Sequence, residues 1–261
     1  MLNDKNAVIY GGGGHLGGAM AKAFAAAGAR VFLAGRTKEK LDAVATMIRE
    51  AGGQADVAVV DATDEQAVAA HLDDVVRAGG SVDVSVNLVN RGDVQGTPLV
   101  AMAVEDVVGP VTTGLRANFV TAKAAAARMS TQDSGGVVIA LNSGSAKGSP
   151  MMGATGMIDA AIDALVRNLA LEAGPQGVRV NCIWTAGLPE TFSKEGLAAT
   201  NPDLVLDDAA LAGLIANLDG MRATRRSPRL AEIAATATFL ASDGAAAITG
   251  AFINATSGMF V

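Results

Sequence analysis

The stretch Val8-Ile9-Tyr10-Gly11-Gly12-Gly13-Gly14-His15-Leu16-Gly17-Gly18 concentrates the features that could do chemistry in this chain. Consecutive glycines permit positive φ and let a ligand approach with no Cβ in the way. Where such a run opens a helix, the helix's first N–H groups stay free to meet a phosphate. The same stretch holds Tyr10, the only tyrosine, and His15, one of two histidines. Other reactive side chains are sparse. Cys182 is the single cysteine, so it forms no internal disulfide and belongs to no cysteine metal cluster. His15 and His71 are too far apart to suggest a histidine-rich metal site, and no metal is expected.

A phosphate-binding turn needs a strand before it and a helix after it. The apolar run ending at Tyr10 supplies the strand, and Leu16, Met20 and Phe24 recur at helical spacing up to Gly28. The pattern then repeats. Apolar runs at 29–34, 55–60, 82–89, 136–141, 178–184 and 251–255 alternate with helical stretches at 38–51, from Thr63 toward Ala78, and at 107–130, 152–172 and 230–241. Thr63 and Gln66 have capping-box spacing for the third helix. This alternation predicts an α/β fold, a doubly wound parallel sheet of Rossmann type with helices on both faces. No linker or composition break divides residues 1–261, so one domain is expected. Ligands in such sheets bind beyond the carboxyl ends of the strands, where Gly11, Arg36, Asp61, Asn87, Ser143 and Thr185 fall.

Composition narrows the partners. A net charge of −6 and a pI near 4.9, with no Lys/Arg cluster, argue against nucleic acid. No apolar span is long enough for a bilayer and no secretory signal pattern opens the chain, so a cytoplasmic protein with a small-molecule substrate is expected.

The chain resembles the short-chain dehydrogenase/reductase family over nearly its whole length. The resemblance rests on the glycine turn, Asp61-Ala62, Asn87 and Ser143. It is reinforced by Leu169-Ala170-Leu171-Glu172, Gly177-Val178-Arg179-Val180-Asn181, Phe239-Leu240-Ala241-Ser242-Asp243 and Ile248-Thr249-Gly250. It implies a nicotinamide dinucleotide held by Gly11, Gly13, Gly14, His15, Leu16, Arg36, Asp61, Ala62 and Asn87, with Asp61 toward adenine. The second strand ends in Gly35-Arg36 without an acid, which favours NADP(H) over NAD(H), because a guanidinium pairs with a 2′-phosphate. His15 stands where the family has a glycine, and could donate to the pyrophosphate or crowd it. The resemblance also implies that residues 188–228 cover the substrate, and that the helices carrying Ala122–Ala127 and Ala160–Ala164 build a homodimer or homotetramer.

The family's proton chemistry does not carry over. Counting back from Leu169-Ala170-Leu171-Glu172 puts Thr155 at the catalytic Tyr position and Asp159 at the Lys position, and Gly114 stands at the Asn position. No lysine lies between Lys147 and Lys194. Ser143 is the remaining member of the set. The candidate catalytic residues are therefore Ser143, Thr155 and Asp159. Asp159 lies one turn after Thr155 and could hold ribose hydroxyls, a substrate cation or a proton. Ser145, Lys147, Arg91, Asp93 and Gln95 stand nearby, with solvent exposure as the plain expectation for the loop charges. These residues suggest an NADP(H)-dependent oxidoreductase with a non-standard catalytic site, acting for example on an imine or activated alkene. A non-catalytic nucleotide-binding homologue, or a redox-neutral enzyme reusing the pocket, is the alternative.

Overall fold

A computed structural model describes residues 1–201 and 206–259. Seven strands form one sheet: β1 (Asn6–Tyr10), β2 (Arg30–Gly35), β3 (Gln54–Val59), β4 (Val84–Asn87), β5 (Gly136–Asn142), β6 (Val178–Trp184) and β7 (Phe252–Asn254). Their order is β3-β2-β1-β4-β5-β6-β7 and every neighbouring pair is parallel. Parallel neighbours require crossovers. These are made by α1 (His15–Ala26), α2 (Lys38–Glu50), α3 (Glu65–Gly79), α4 (Val104–Met129), α5 (Thr155–Ala173) and α8 (Leu230–Ala241). Two further helices, α6 (Lys194–Thr200) and α7 (Asp208–Gly220), lie in the long connection after β6.

Side chains alternate across a strand, so each strand feeds two cores. Val8 and Tyr10 of β1 join Val68, Leu72, Ile158 and Ile162 beneath α3, α4 and α5. Ala7 and Ile9 join Met20, Phe24, Leu41 and Leu240 beneath α1, α2 and α8. All five residues of β1 are buried, as a central strand covered on both faces demands. The expected single α/β domain with a doubly wound parallel sheet is what the chain forms.

Two local expectations are corrected. The third helix is capped by Asp64, whose Oδ1 accepts the N–H groups of Gln66 at 2.9 Å and Ala67 at 3.1 Å. Thr63 is drawn away from that role because its hydroxyl donates to Asp61 Oδ1 at 2.8 Å. The fourth strand is Val84–Asn87 rather than 82–89, since the Asn87 side chain turns the chain back by accepting from the Val89 N–H at 3.0 Å. The segment 188–228, expected to cover substrate, contains α6 and α7, and its residues 202–205 lie outside the described residues. Among the described residues no helix is long and apolar enough to cross a membrane.

Candidate functional site

The strand order reverses between β1 and β4, and the crevice of a doubly wound sheet opens there. Gly11 starts the turn out of β1 with φ +80°, and a Cβ on it would stand 2.6 Å from the Leu88 carbonyl oxygen. A Cβ on Gly17 would come within 2.3 Å of the Gly11 carbonyl oxygen, so α1 can sit this close to the turn only without one. Gly14 caps α1 with no side-chain bond, and the helix has no acid in its first turn. The positive end of α1 is thus left for an anion.

A cleft of about 440 Å³ opens in front of this turn. Gly11, Gly13 and Gly14 form one wall, Arg36 and Lys40 the next, and Asp61 and Ala62 the third; it ends at Leu88, Val89, Asn90 and Thr113. Thr63 donates its N–H at 2.9 Å and its hydroxyl at 2.8 Å to Asp61 Oδ1. These bonds, with smaller help from Arg36 and Arg116, hold the Asp61 carboxyl below its ordinary range, so it carries a full charge at neutral pH. The cradle, the helix end and the two cations fit the phosphates of a nucleotide.

Six of the nine residues expected to hold the dinucleotide therefore line one cleft. The other three stand elsewhere. His15 is exposed and lines an adjoining groove of about 970 Å³ that shares Gly13, Gly14 and Lys40 with this cleft and is bordered by α1, α2 and α8. Leu16 is half-buried and packs against the core beneath α1. Asn87 is buried, with Nδ2 donating to the Ala117 carbonyl and to Thr121 Oγ1, both at 2.8 Å, so it ties β4 to α4. Tyr10 is also engaged in structure: its buried ring meets His71 edge-on with centroids 5.8 Å apart. Burial pushes its phenol well above the usual range and pushes the His71 imidazole below its own.

Across the reversal point, the ends of β4 and β5 meet α5 in a buried polar network. Asp159 is fully buried. Its Oδ2 accepts from the Ser143 N–H at 3.0 Å, the Ser143 hydroxyl at 2.6 Å and the Ser145 N–H at 3.0 Å. Its Oδ1 accepts from Arg91 Nη1 at 3.1 Å. Three donors thus converge on Oδ2 and one on Oδ1, so both carboxylate oxygens are engaged. Arg91 Nη2 donates to Asp93 Oδ2 at 2.7 Å, and the Thr155 hydroxyl donates to the same oxygen at 3.3 Å. A Cβ on Gly114 would stand 2.7 Å from Arg91 Cδ, so the missing side chain on α4 is what lets the arginine lie there.

Ser143, Thr155 and Asp159 are thus brought together as expected, but through Arg91 and Asp93. By sequence those two are rim charges with solvent exposure expected, yet their side chains are only 17% and 13% exposed. The signal for them was in the sequence: an acid at 159 and a glycine at 114 jointly call for a cation with room to enter. Ser143 has one hydroxyl proton. It donates that proton to Asp159 while Ser145 Oγ lies 2.6 Å away, leaving Ser145 as the donor in that contact.

The rim of this region is set by other contacts. Lys147 is exposed, with its ammonium 5.1 Å from the centroid of the Trp184 ring. Cys182 is a core residue of β6, and burial together with the Asp163 and Asp159 charges pushes its thiol up. Glu190 accepts the Leu230 N–H at 2.6 Å at the start of α8. Arg222, fully buried, donates to the carbonyls of Ala186 and Gly187 just beyond β6. Among the described residues no group of three or more His, Cys, Asp or Glu is placed to hold a metal.

The family model described as enoyl-(acyl carrier protein) reductase matches residues 14–260. An uncharacterized oxidoreductase of Mycobacterium tuberculosis is 33% identical, over 99% of this chain and 93% of its own length. The L-rhamnose 1-dehydrogenase (NAD(P)(+)) of Azotobacter vinelandii is 33% identical, over 100% and 98%. The NAD+-bound crystal structure of a xylitol dehydrogenase superposes with a TM-score of 0.86 at 27% identity, covering 98% of this chain and 99% of that one. A short-chain type dehydrogenase/reductase of Mycobacterium ulcerans superposes with a TM-score of 0.84 at 25% identity, covering 99% and 90%. With its fold, its crevice and these relatives in agreement, the chain belongs to the short-chain dehydrogenase/reductase family.

Proposed function

We propose that the protein is an NADP(H)-dependent oxidoreductase of the short-chain type, acting on a small organic substrate without the family's Tyr/Lys pair. The observation that carries the reading is the cleft in front of α1, where glycine backbone, an open helix end, Arg36 and Lys40 converge on space suited to phosphates. Gly11, Gly13 and Gly14 would take the pyrophosphate, Asp61 and Ala62 the adenine, and Arg36 the 2′-phosphate. The bound nicotinamide would supply or accept the hydride. On the protein side, Ser143, Thr155 and Asp159 remain the candidate catalytic residues, with Arg91 and Asp93 holding their arrangement. The sugar and polyol names of some relatives support a substrate carrying a hydroxyl or carbonyl group.

Arg36→Ala tests the cofactor choice. It is expected to weaken NADPH about 10- to 100-fold in a fluorescence titration, the loss of a charge-assisted phosphate contact, and to leave NADH nearly unchanged. Equal weakening of both would move the preference elsewhere, and absence of binding at millimolar NADPH would end the reading.

A second reading, a non-catalytic nucleotide-binding homologue, is favoured by one observation: the Ser143 hydroxyl donates inward to Asp159 rather than standing free to polarise a substrate oxygen. Turnover that Ser143→Ala abolishes without loss of NADPH affinity would exclude it.

The assembly is proposed to be a homodimer or homotetramer. Val104, Val108, Leu115 and Phe119 recur along one stripe of α4 and are exposed, as are Met157 and Leu171 on α5. Light scattering after gel filtration should give at least twice the chain mass of 26.1 kDa. A single monomeric species at micromolar concentration would discard the assembly.

A further inference from the structure

A doubly wound sheet offers two mononucleotide half-sites, one on each side of the strand reversal. Here the halves differ. The open cleft takes its walls from the ends of β1, β2 and β3 and stops at the loop after β4 and at Thr113 of α4; none of its lining residues comes from β5, β6 or α5. On the other side the polar groups face one another. Asp159 is enclosed by four donors, Arg91 is held between two carboxylates, and the Ser143 proton is engaged. Two polar atoms there, Asp93 Oδ1 and Thr185 Oγ1, have no protein partner, and both are shut off from solvent.

We infer that the nucleotide is gripped through its adenosine–phosphate half alone, and that the second nucleoside adds little to affinity. The inference rests on the reading of the cleft as an NADP(H) site and says which part of the ligand that site recognises. To hold the second ribose at Oδ2, Asp159 would have to give up one of three donors it already has, and its Oδ1 is covered by Arg91. Opening the space over Gly114 would require withdrawing Arg91 from both Asp93 and Asp159. Neither exchange gains a bond, because each ligand contact replaces an existing charge-assisted one. The first half needs no such rearrangement. Its glycine walls, Arg36 and the free end of α1 already face open space.

The test compares NADP+ with 2′-phospho-ADP-ribose, the same molecule without nicotinamide, by titration calorimetry on the full-length protein. The expected result is two dissociation constants within tenfold of each other, with Arg36→Ala weakening both by the same factor. NADP+ binding more than tenfold tighter would overturn the inference and leave the cofactor reading intact. So would an Arg36→Ala protein that loses 2′-phospho-ADP-ribose yet keeps NADP+. No heat from either ligand at millimolar concentration would overturn the inference together with the nucleotide reading beneath it.

Discussion

Replacing Arg222 by methionine is expected to lower the free energy of unfolding by about 3–5 kcal/mol, read as a shift of the urea midpoint at unchanged slope. Arg222 is the largest fully buried side chain among the described residues. Its guanidinium donates through Nη1 to the Thr256 carbonyl at 2.5 Å and through Nη2 to the carbonyls of Ala186 at 2.5 Å and Gly187 at 2.8 Å. Its Nε donates to Ser227 Oγ at 2.9 Å. Hydrogen bonds to a charged group each contribute roughly 1.5–3 kcal/mol, and an apolar replacement leaves three carbonyls buried without a donor. Methionine restores part of the packing, which keeps the net loss below the sum. These bonds join the end of α7, the turn beyond β6 and the C-terminal turn, so they also pin the 188–228 segment beside the crevice. The variant should accordingly be cut faster by trypsin within that segment, while Arg222→Lys, which keeps the charge but fewer donors, should fall between. An unfolding free energy within about 1 kcal/mol of that of the native protein would mean that these contacts carry no net stability.

Nothing in the sequence singled out Arg222, and the reason is physical. Its partners are carbonyls, and every residue type offers one, so no side-chain pattern marks the site. The sheet was legible for the opposite reason. A parallel strand covered on both faces must be apolar throughout, and the runs at 30–35, 136–142 and 178–184 are close to that limit. The glycine turn was legible because steric exclusion leaves few choices: Gly11 and Gly17 meet backbone atoms that cannot move aside. His15 and Asn87 show where spacing stops being informative. Position along the chain puts both near the crevice but does not give the direction of either side chain: His15 lines the groove by α8 and Asn87 bonds to α4. Arg91 and Asp93 lay in between. As loop charges they read as solvated, and only the combination of Gly114 and Asp159, both distant in sequence, draws them inward.

That combination yields the other large effect. Asp159→Ala is expected to cost about 3–5 kcal/mol, the range for removing one partner of a buried ion pair. It leaves Arg91 with Asp93 as its remaining carboxylate partner and leaves the N–H groups of Ser143 and Ser145 without their acceptor. Arg91 keeps its ion pair with Asp93 at 2.7 Å in that variant, so adding Arg91→Met unpairs Asp93 and is expected to restore none of the loss. A double-mutant cycle is expected to return a coupling of about 1–3 kcal/mol between the two positions. Lysine at position 159 is expected to be worse than alanine. Asp159→Lys would place a second cation beside Arg91 in a site with no exposure, and like charges there repel at low effective dielectric. The lysine becomes tolerable only if Arg91 is removed with it, since the two residues share one charge balance. A coupling near zero, or a stable Asp159→Lys protein with Arg91 intact, would show that the network does not hold this half of the crevice. A strong coupling has a structural corollary: Asp159 bonds Arg91 and Gly114 leaves room for it, so a change at either position is felt at the arginine between them.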